Sequence, residues 1–238
     1  MNPLHIWGRM SSINVKKVVW TAQELGLDFQ RLDAGGAFGL VKTPEYMRLN
    51  PNSLVPVIED DGFVLWESNT IVRYLCAKYS APMLVAARTA LPPEGAVPGL
   101  GRPGAAAFCP GLYPADLRQR FDAERWMDWQ QTTVNPASRA GFWQLIRTPP
   151  AQQNPAVIAE SNAAVEALMA TLDAHLAGRS CLVGEAFSMA DIPLALEVHR
   201  WFGLPQSRQA RPNIERWYSA LLARPASLGV LDMALSRY

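Results

Sequence analysis

Leu54-Val55-Pro56-Val57-Ile58-Glu59-Asp60-Asp61-Gly62-Phe63-Val64-Leu65-Trp66-Glu67-Ser68-Asn69-Thr70-Ile71 is the stretch on which the fold turns. Leu54 to Ile58 and Phe63 to Trp66 are short apolar runs of strand-forming residues, and Asp60-Asp61-Gly62 between them is a hairpin signal. From Glu67 the period changes: Ile71, Tyr74, Leu75 and Lys78 fall at helical spacing. Two strands joined by a tight turn must be antiparallel, and a parallel neighbour needs a helical crossover. The stretch therefore reads as the closing β-β-α of a mixed sheet.

The preceding residues supply the rest of that sheet. Leu4 to Trp7 is a short apolar run stopped by Gly8. Ser11, Ser12 and Asn14 are helix-capping residue types, and Val15, Val18, Val19, Ala22 and Leu25 then mark a helix ended by Gly26. Asp28 to Leu32 reads as a second strand. A glycine-rich loop follows, Ala34-Gly35-Gly36-Ala37-Phe38-Gly39, and then a short helix with Pro44 at its first position. The order β-α-β-α-β-β-α predicts an α/β, thioredoxin-like N-terminal domain over residues 1–80.

Residues 81–113 break the pattern. Pro82, Pro92, Pro93, Pro98, Pro103 and Pro110 alternate with Gly95, Gly99, Gly101, Gly104 and Gly111, so this segment reads as a linker or insertion with weak structure. From Pro114 to the end at residue 238 only helical signals occur, which predicts an all-α C-terminal domain. Phe121, Trp126 and Trp129 lie on its first helix, which Pro136 is expected to end or kink. Ile158, Val165, Leu168, Leu172 and Leu176 mark a second. Phe187-Ser188-Met189-Ala190-Asp191-Ile192 is a capping box inside a hydrophobic staple, and Arg211-Pro212-Asn213 opens the last long helix.

Composition narrows the function classes. The 238 residues are 49% hydrophobic and 18% charged with a net charge of +1, so nothing in the charge favours nucleic acid or an anionic membrane as partner. No run approaches the ~20 apolar residues of a membrane span. The N-terminus does not read as a secretory signal, and a cytoplasmic location is expected. Cys76, Cys109 and Cys181 lack metal-ligand spacing and read as reduced, mostly buried thiols. His5, His175 and His199 are too scattered to suggest a metal site.

Asn50-Pro51-Asn52-Ser53-Leu54-Val55-Pro56-Val57 with Leu65-Trp66-Glu67-Ser68-Asn69-Thr70-Ile71-Val72-Arg73-Tyr74-Leu75 resembles the glutathione-binding half of the cytosolic glutathione transferases. The Phe187–Ile192 box resembles that family's buried capping motif. Trp7-Gly8-Arg9-Met10-Ser11-Ser12-Ile13-Asn14-Val15-Lys16-Lys17-Val18 resembles a bacterial branch near the serine-type, theta-like classes. The likeness spans about residues 4–80 and 112–225.

The resemblance implies glutathione as co-substrate, a cis Val55–Pro56 bond whose flanking backbone pairs with the cysteinyl unit, and no metal. It implies that Glu67, Ser68 and Asn69, where strand becomes helix, hold the γ-glutamyl end. The first amides of a helix lack internal partners and attract a carboxylate. Leu54 stands where many classes carry a lysine or similar contact to the glycyl end. The thiol, with an ordinary pKa of ~8.5, needs about 2.7 kcal/mol of thiolate stabilisation to fall by ~2 units. One charge-assisted hydrogen bond of ~1.5–3 kcal/mol supplies most of that, and a helix N-terminus adds ~0.3–1 kcal/mol. Ser12 matches the family's serine; Ser11, Asn14 and Arg9 in the same turn are alternatives. No tyrosine precedes Tyr46 and no cysteine precedes Cys76, which argues against tyrosine- and cysteine-type mechanisms. Met10, Trp126, Trp129, Thr133 and Phe142 are expected to line an apolar second-substrate site. The activity implied is conjugation of glutathione to a small apolar electrophile by a homodimer. Glutathione-dependent peroxide or disulfide reduction, and ligand binding without catalysis, are the alternatives.

Overall fold

The computed structural model describes residues 3–89 and 112–236. The N-terminal half consists of β1 (Leu4–Trp7), α1 (Ile13–Glu24), β2 (Phe29–Leu32), α2 (Pro44–Leu49), β3 (Val57–Asp60), β4 (Phe63–Trp66) and α3 (Ser68–Thr89). The strands form one sheet in the order β2-β1-β3-β4. β1 and β2 are parallel across the α1 crossover, whereas β3 is antiparallel to both β1 and β4. This is the thioredoxin-like arrangement expected from the element order. The hairpin closes through Asp61 and Gly62, both at positive φ (49° and 83°), as a two-residue Asp-Gly turn requires. Strand β3 begins at Val57 rather than at Leu54, because the Val55–Pro56 peptide is cis and turns the chain just before it.

The C-terminal half is helical: α4 (Leu117–Trp129), α5 (Asn135–Phe142), α6 (Pro155–His175), α7 (Asp191–Gly203) and α8 (Pro212–Leu222). Helix α1 packs against both α3 and α7, so a single apolar core runs from the sheet into the helices. Trp20 is fully buried there against Phe187, with ring centroids 5.7 Å apart. Its indole donates to Glu24 at 2.9 Å, and Glu24 accepts both arms of the Arg224 guanidinium at 2.7 Å. Such a bidentate pair fastens the chain just after the last long helix to α1. Cys76 and Cys181 are buried in this core; Cys109 lies outside the described residues.

Two expectations are corrected. Helix α3 continues to Thr89, nine residues beyond the boundary drawn at residue 80. Met83, Leu84, Ala86, Ala87 and Arg88 are good helix formers that the count of prolines and glycines passes over. The Pro/Gly-rich remainder of the expected linker, residues 90–111, lies outside the described residues. Of the two outcomes expected at Pro136, an end or a kink, the helix does not end there. The chain stays helical from Leu117 to Arg147 by opening into π turns at Gln130–Val134 and Trp143–Arg147. The first wide turn, just ahead of Pro136, accommodates the hydrogen bond that proline cannot donate.

The capping box forms in a modified way. Asp191 is fully buried and accepts from the amides of Leu182 (3.0 Å) and Ser188 (2.9 Å) and from the indole of Trp217 (3.0 Å). The Ser188 hydroxyl accepts from Ala190 rather than from Asp191, at 3.3 Å. Burial raises the Asp191 pKa against the opposing pull of these donors. Asp191 also accepts from the Ser188 hydroxyl at 3.2 Å, so Asp191→Ala removes the acceptor of four buried donors, each worth about 1–3 kcal/mol when stranded. A loss of roughly 4 kcal/mol or more in unfolding free energy is expected from urea titration; a loss below ~1 kcal/mol would show that the box is dispensable.

Candidate active site

Two backbone features build the first half of the site. Leu54 carbonyl accepts from the Tyr46 hydroxyl at 2.8 Å and from the Asn50 side chain at 3.0 Å, and Asn50 in turn accepts from the Asn52 amide at 3.0 Å. Buried Asn50 thus holds the loop that delivers the cis Val55–Pro56 turn. Facing it is the tip of α3. The Glu67 carbonyl accepts the first helical bond from Ile71 at 2.9 Å, and Glu67 itself sits at φ 74°. A non-glycine residue in that region is strained and is held there by its surroundings. Asn14, Asn50, Asn52, Leu54, Val55, Pro56, Glu67 and Ser68 together line a small pocket.

The turn after β1 supplies the third feature. Gly8 has φ 147°, and a Cβ there would collide with the Val15 side chain, so only glycine lets the chain pass. Ser12 occupies the N-cap position of α1, yet its side chain makes no bond to the helix amides. Its hydroxyl is not consumed in capping. Ser11 Oγ and Asn14 Oδ1 are buried without a protein partner. The Arg9 guanidinium lies on Gly35 and Gly36, where a Cβ would come within 2.7 and 2.8 Å of it. Burial depresses the pKa of Arg9. Arg9, Ser11, Ser12 and Asn14 all open onto one cleft of about 520 Å³ between the two halves, together with Leu54, Val55 and Glu67.

The opposite wall differs from expectation. Of the apolar residues expected there, Phe142 lines the cleft. Trp126 belongs to the core, with Met10 and Trp129 packed against it. Trp126 sets its ring edge against Trp129 at 5.2 Å and stacks near His175 at 4.3 Å. Two large rings three residues apart on a helix bury each other, which removes them from a ligand wall. Thr133 is solvent-exposed and is not among the lining residues. The wall is instead formed by Gln131, Asn135, Arg139, Trp143 and Arg147, with Arg200 behind Phe142. The five are spaced by four, one row along the continuous helix. That row is a sequence signal, obscured by the expectation that Pro136 ends or kinks the helix.

Asn69 is the other correction. It is buried, accepting from Lys17 Nζ at 3.0 Å and donating to the Met127 carbonyl at 2.8 Å, so it braces the site rather than facing it. Lys17, which the sequence reading missed, is fully buried. Its ammonium also reaches Gln130 (2.7 Å), Gln131 (3.2 Å) and Ser68 Oγ (3.5 Å). Gln130 passes the network on to Glu197 at 2.8 Å, and Glu197 pairs with Arg200 at 3.1 Å. All of the ammonium's direct partners are neutral. Desolvation therefore wins over the more distant Glu197 and Glu67, and the Lys17 pKa falls to about 7. Among the described residues no group of His, Cys, Asp or Glu is gathered that could hold a metal ion, and no helix is long and apolar enough to cross a membrane.

A thioredoxin-like domain whose cis-proline turn and helix tip face a helical wall across an open cleft is the class of protein that this fold and site define. Residues 2–77 match the family model "Glutathione S-transferase, N-terminal domain" and residues 134–225 match "Glutathione S-transferase, C-terminal domain". Glutathione S-transferase GstB of Escherichia coli is 36% identical over 97% of this chain and 99% of its own. Glutathione S-transferase 3 of Zea mays is 30% identical over 95% and 92%. Among solved structures, the theta class glutathione S-transferase of Xanthomonas axonopodis pv. citri, with glutathione bound, superposes with a TM-score of 0.84. It is 38% identical, covering 99% of this chain and 100% of that one. The chain belongs to the glutathione S-transferase family.

Proposed function

We propose that this transferase binds glutathione between the Val55–Pro56 turn and the tip of α3, and joins its sulfur to an electrophilic carbon of a small molecule. The observation that carries this reading is the convergence of that turn, that helix tip and the uncommitted Ser12 hydroxyl on one cleft. Val55 would pair through its main chain with the cysteinyl backbone, as an added strand does. The α3 tip would take the γ-glutamyl carboxylate on its open amides. Ser68 Oγ already accepts from Lys17 at 3.5 Å, which leaves its proton for that carboxylate, while Glu67 would face the ammonium. Ser12 would donate to the thiolate, with Arg9 adding positive charge at the same end. The thiol gives its proton to water. The sulfur then forms the C–S bond while the leaving group departs with its electron pair, and no redox change occurs. A homodimer in the cytoplasm, as the family resemblance implies, completes the reading.

Calorimetry with glutathione tests the binding half. Glu67→Ala and Ser68→Ala should each raise the dissociation constant about tenfold or more, since each removes a charge-assisted contact; unchanged affinity would refute the assignment. Turnover of a chloronitroarene tests the chemistry. Rapid reduction of a hydroperoxide with no arene conjugation would move the activity to the peroxidase class. Absence of both in a protein that still binds glutathione would make it a binding protein.

A further inference from the structure

The conjugation reading leaves open which electrophiles enter, and the cleft wall carries information on that point. Four guanidiniums line the cleft, those of Arg9, Arg139, Arg147 and Arg200, whereas Glu67 is the one carboxylate among its lining residues. Arg200 is already neutralised by Glu197 at 3.1 Å and is further bound to Ser138 and Asn135. Arg9 is held against the glycine loop at Gly35 and Gly36. Arg139 and Arg147 remain. Neither forms an ion pair with any described residue. Arg147 Nε is buried with no hydrogen-bond acceptor.

These two groups are held in place. The Arg147 guanidinium lies 4.7 Å from the Trp143 ring and 5.2 Å from that of Phe142, and Arg139 lies 5.9 Å from Trp143. Stacking on aromatic faces orients the planar fork and leaves its edge for a bidentate oxyanion. Burial, and then the positive charges of Arg9, Arg200 and Arg139, depress the pKa of Arg147. A purely apolar substrate would leave this repulsion uncompensated.

We propose that the electrophile taken by this cleft carries a carboxylate or comparable oxyanion, bound by Arg139 and Arg147 on the helical wall. This deepens the conjugation reading and rests on it. It replaces the expected purely apolar second substrate with an amphiphilic one.

A matched pair of probes tests it: a chlorodinitrobenzoate and the corresponding chlorodinitrobenzamide. In each, the thiolate forms the C–S bond and chloride leaves with the electron pair. With each rate divided by that of its own uncatalysed reaction, the benzoate should exceed the amide in kcat/KM by about tenfold or more, which is about 1.4 kcal/mol. The difference should lie in KM and should shrink as ionic strength rises. Arg147→Gln, and separately Arg139→Gln at an exposed position that leaves the core intact, should each cut the benzoate-to-amide ratio several-fold. Taking the ratio within each variant cancels any general loss of activity. Equal handling of both probes overturns the inference and leaves conjugation standing. Failure to conjugate either probe while glutathione still binds overturns both. If the Arg variants instead weaken glutathione binding by calorimetry and leave the ratio unchanged, the guanidiniums serve the tripeptide's own carboxylates and the inference falls.

Discussion

Replacing Ser12 with alanine is expected to move the ionisation of bound glutathione upward by ~2 pH units, while glutathione affinity changes much less. The hydroxyl donates to the thiolate far better than to the thiol, so its removal acts on the proton equilibrium rather than on binding. If the bound thiol ionises near pH ~6.5 and returns to ~8.5, the thiolate fraction at pH ~6.5 falls from about one half to about one hundredth. A more basic thiolate is intrinsically the better nucleophile, and with a Brønsted slope of ~0.4–0.5 this recovers up to about tenfold. Ionisation wins, and turnover should drop several-fold at pH ~6.5, with a further loss where the hydroxyl also orients the sulfur. The sign with pH is fixed: the variant should recover toward alkaline pH as the thiolate fraction rises. The ultraviolet absorbance of the thiolate across a pH series checks this directly. Coincident titration curves would move the role to Ser11, Asn14 or Arg9, all of which face the same cleft.

Lys17→Met should produce the largest change in how stability depends on pH. Lys17 is fully buried and its pKa falls to about 7 from 10.5. Between those values the unfolded chain carries a proton at this position and the native chain does not, so stability rises with pH across that window. The slope from this one group is up to about 1.4 kcal/mol per pH unit. Below pH ~7 both states are protonated and the contribution is flat. The methionine variant lacks this slope, so the stability of the native protein relative to the variant should climb from pH ~7 to ~10. Guanidinium titrations at several pH values measure it, and parallel curves would show that Lys17 stays charged in the folded protein. The side chain joins Asn69 and Ser68 at the tip of α3 to Gln130 and Gln131 on the helical wall. Its loss should therefore also loosen the seam that shapes the cleft.

Much of the N-terminal half was legible in the chain, for local reasons. The Asp61-Gly62 turn, the period change at Glu67 and the glycine after β1 each act within a few residues, so their consequences follow from local spacing. The grouping of Val55, Pro56, Glu67 and Ser68 into one pocket was expected from the family resemblance; the strand-to-helix switch and the X-Pro pair are local signals that mark only where the chain turns. Asn69 shows the limit. Its neighbour Ser68 faces the pocket while Asn69 turns into the interior, and the difference depends on Lys17, Met127 and Gln130, remote in sequence.

The helical wall was legible in part. Gln131, Asn135, Arg139, Trp143 and Arg147 repeat every four residues. In an unbroken α-helix such a row drifts about 40° per step, or about 160° over its length, and would leave the cleft. The π turns at Gln130–Val134 and Trp143–Arg147 contain more residues per turn and counter that drift. The sequence by itself thus determined the elements, their order and the apolar faces that join the sheet to the helices, because these arise from periodicity and turn chemistry. Only the tertiary structure decided which side chains meet across the cleft. That choice rests on the pitch of a continuous helix and on burial of charged groups such as Lys17, quantities set by neighbours far away along the chain.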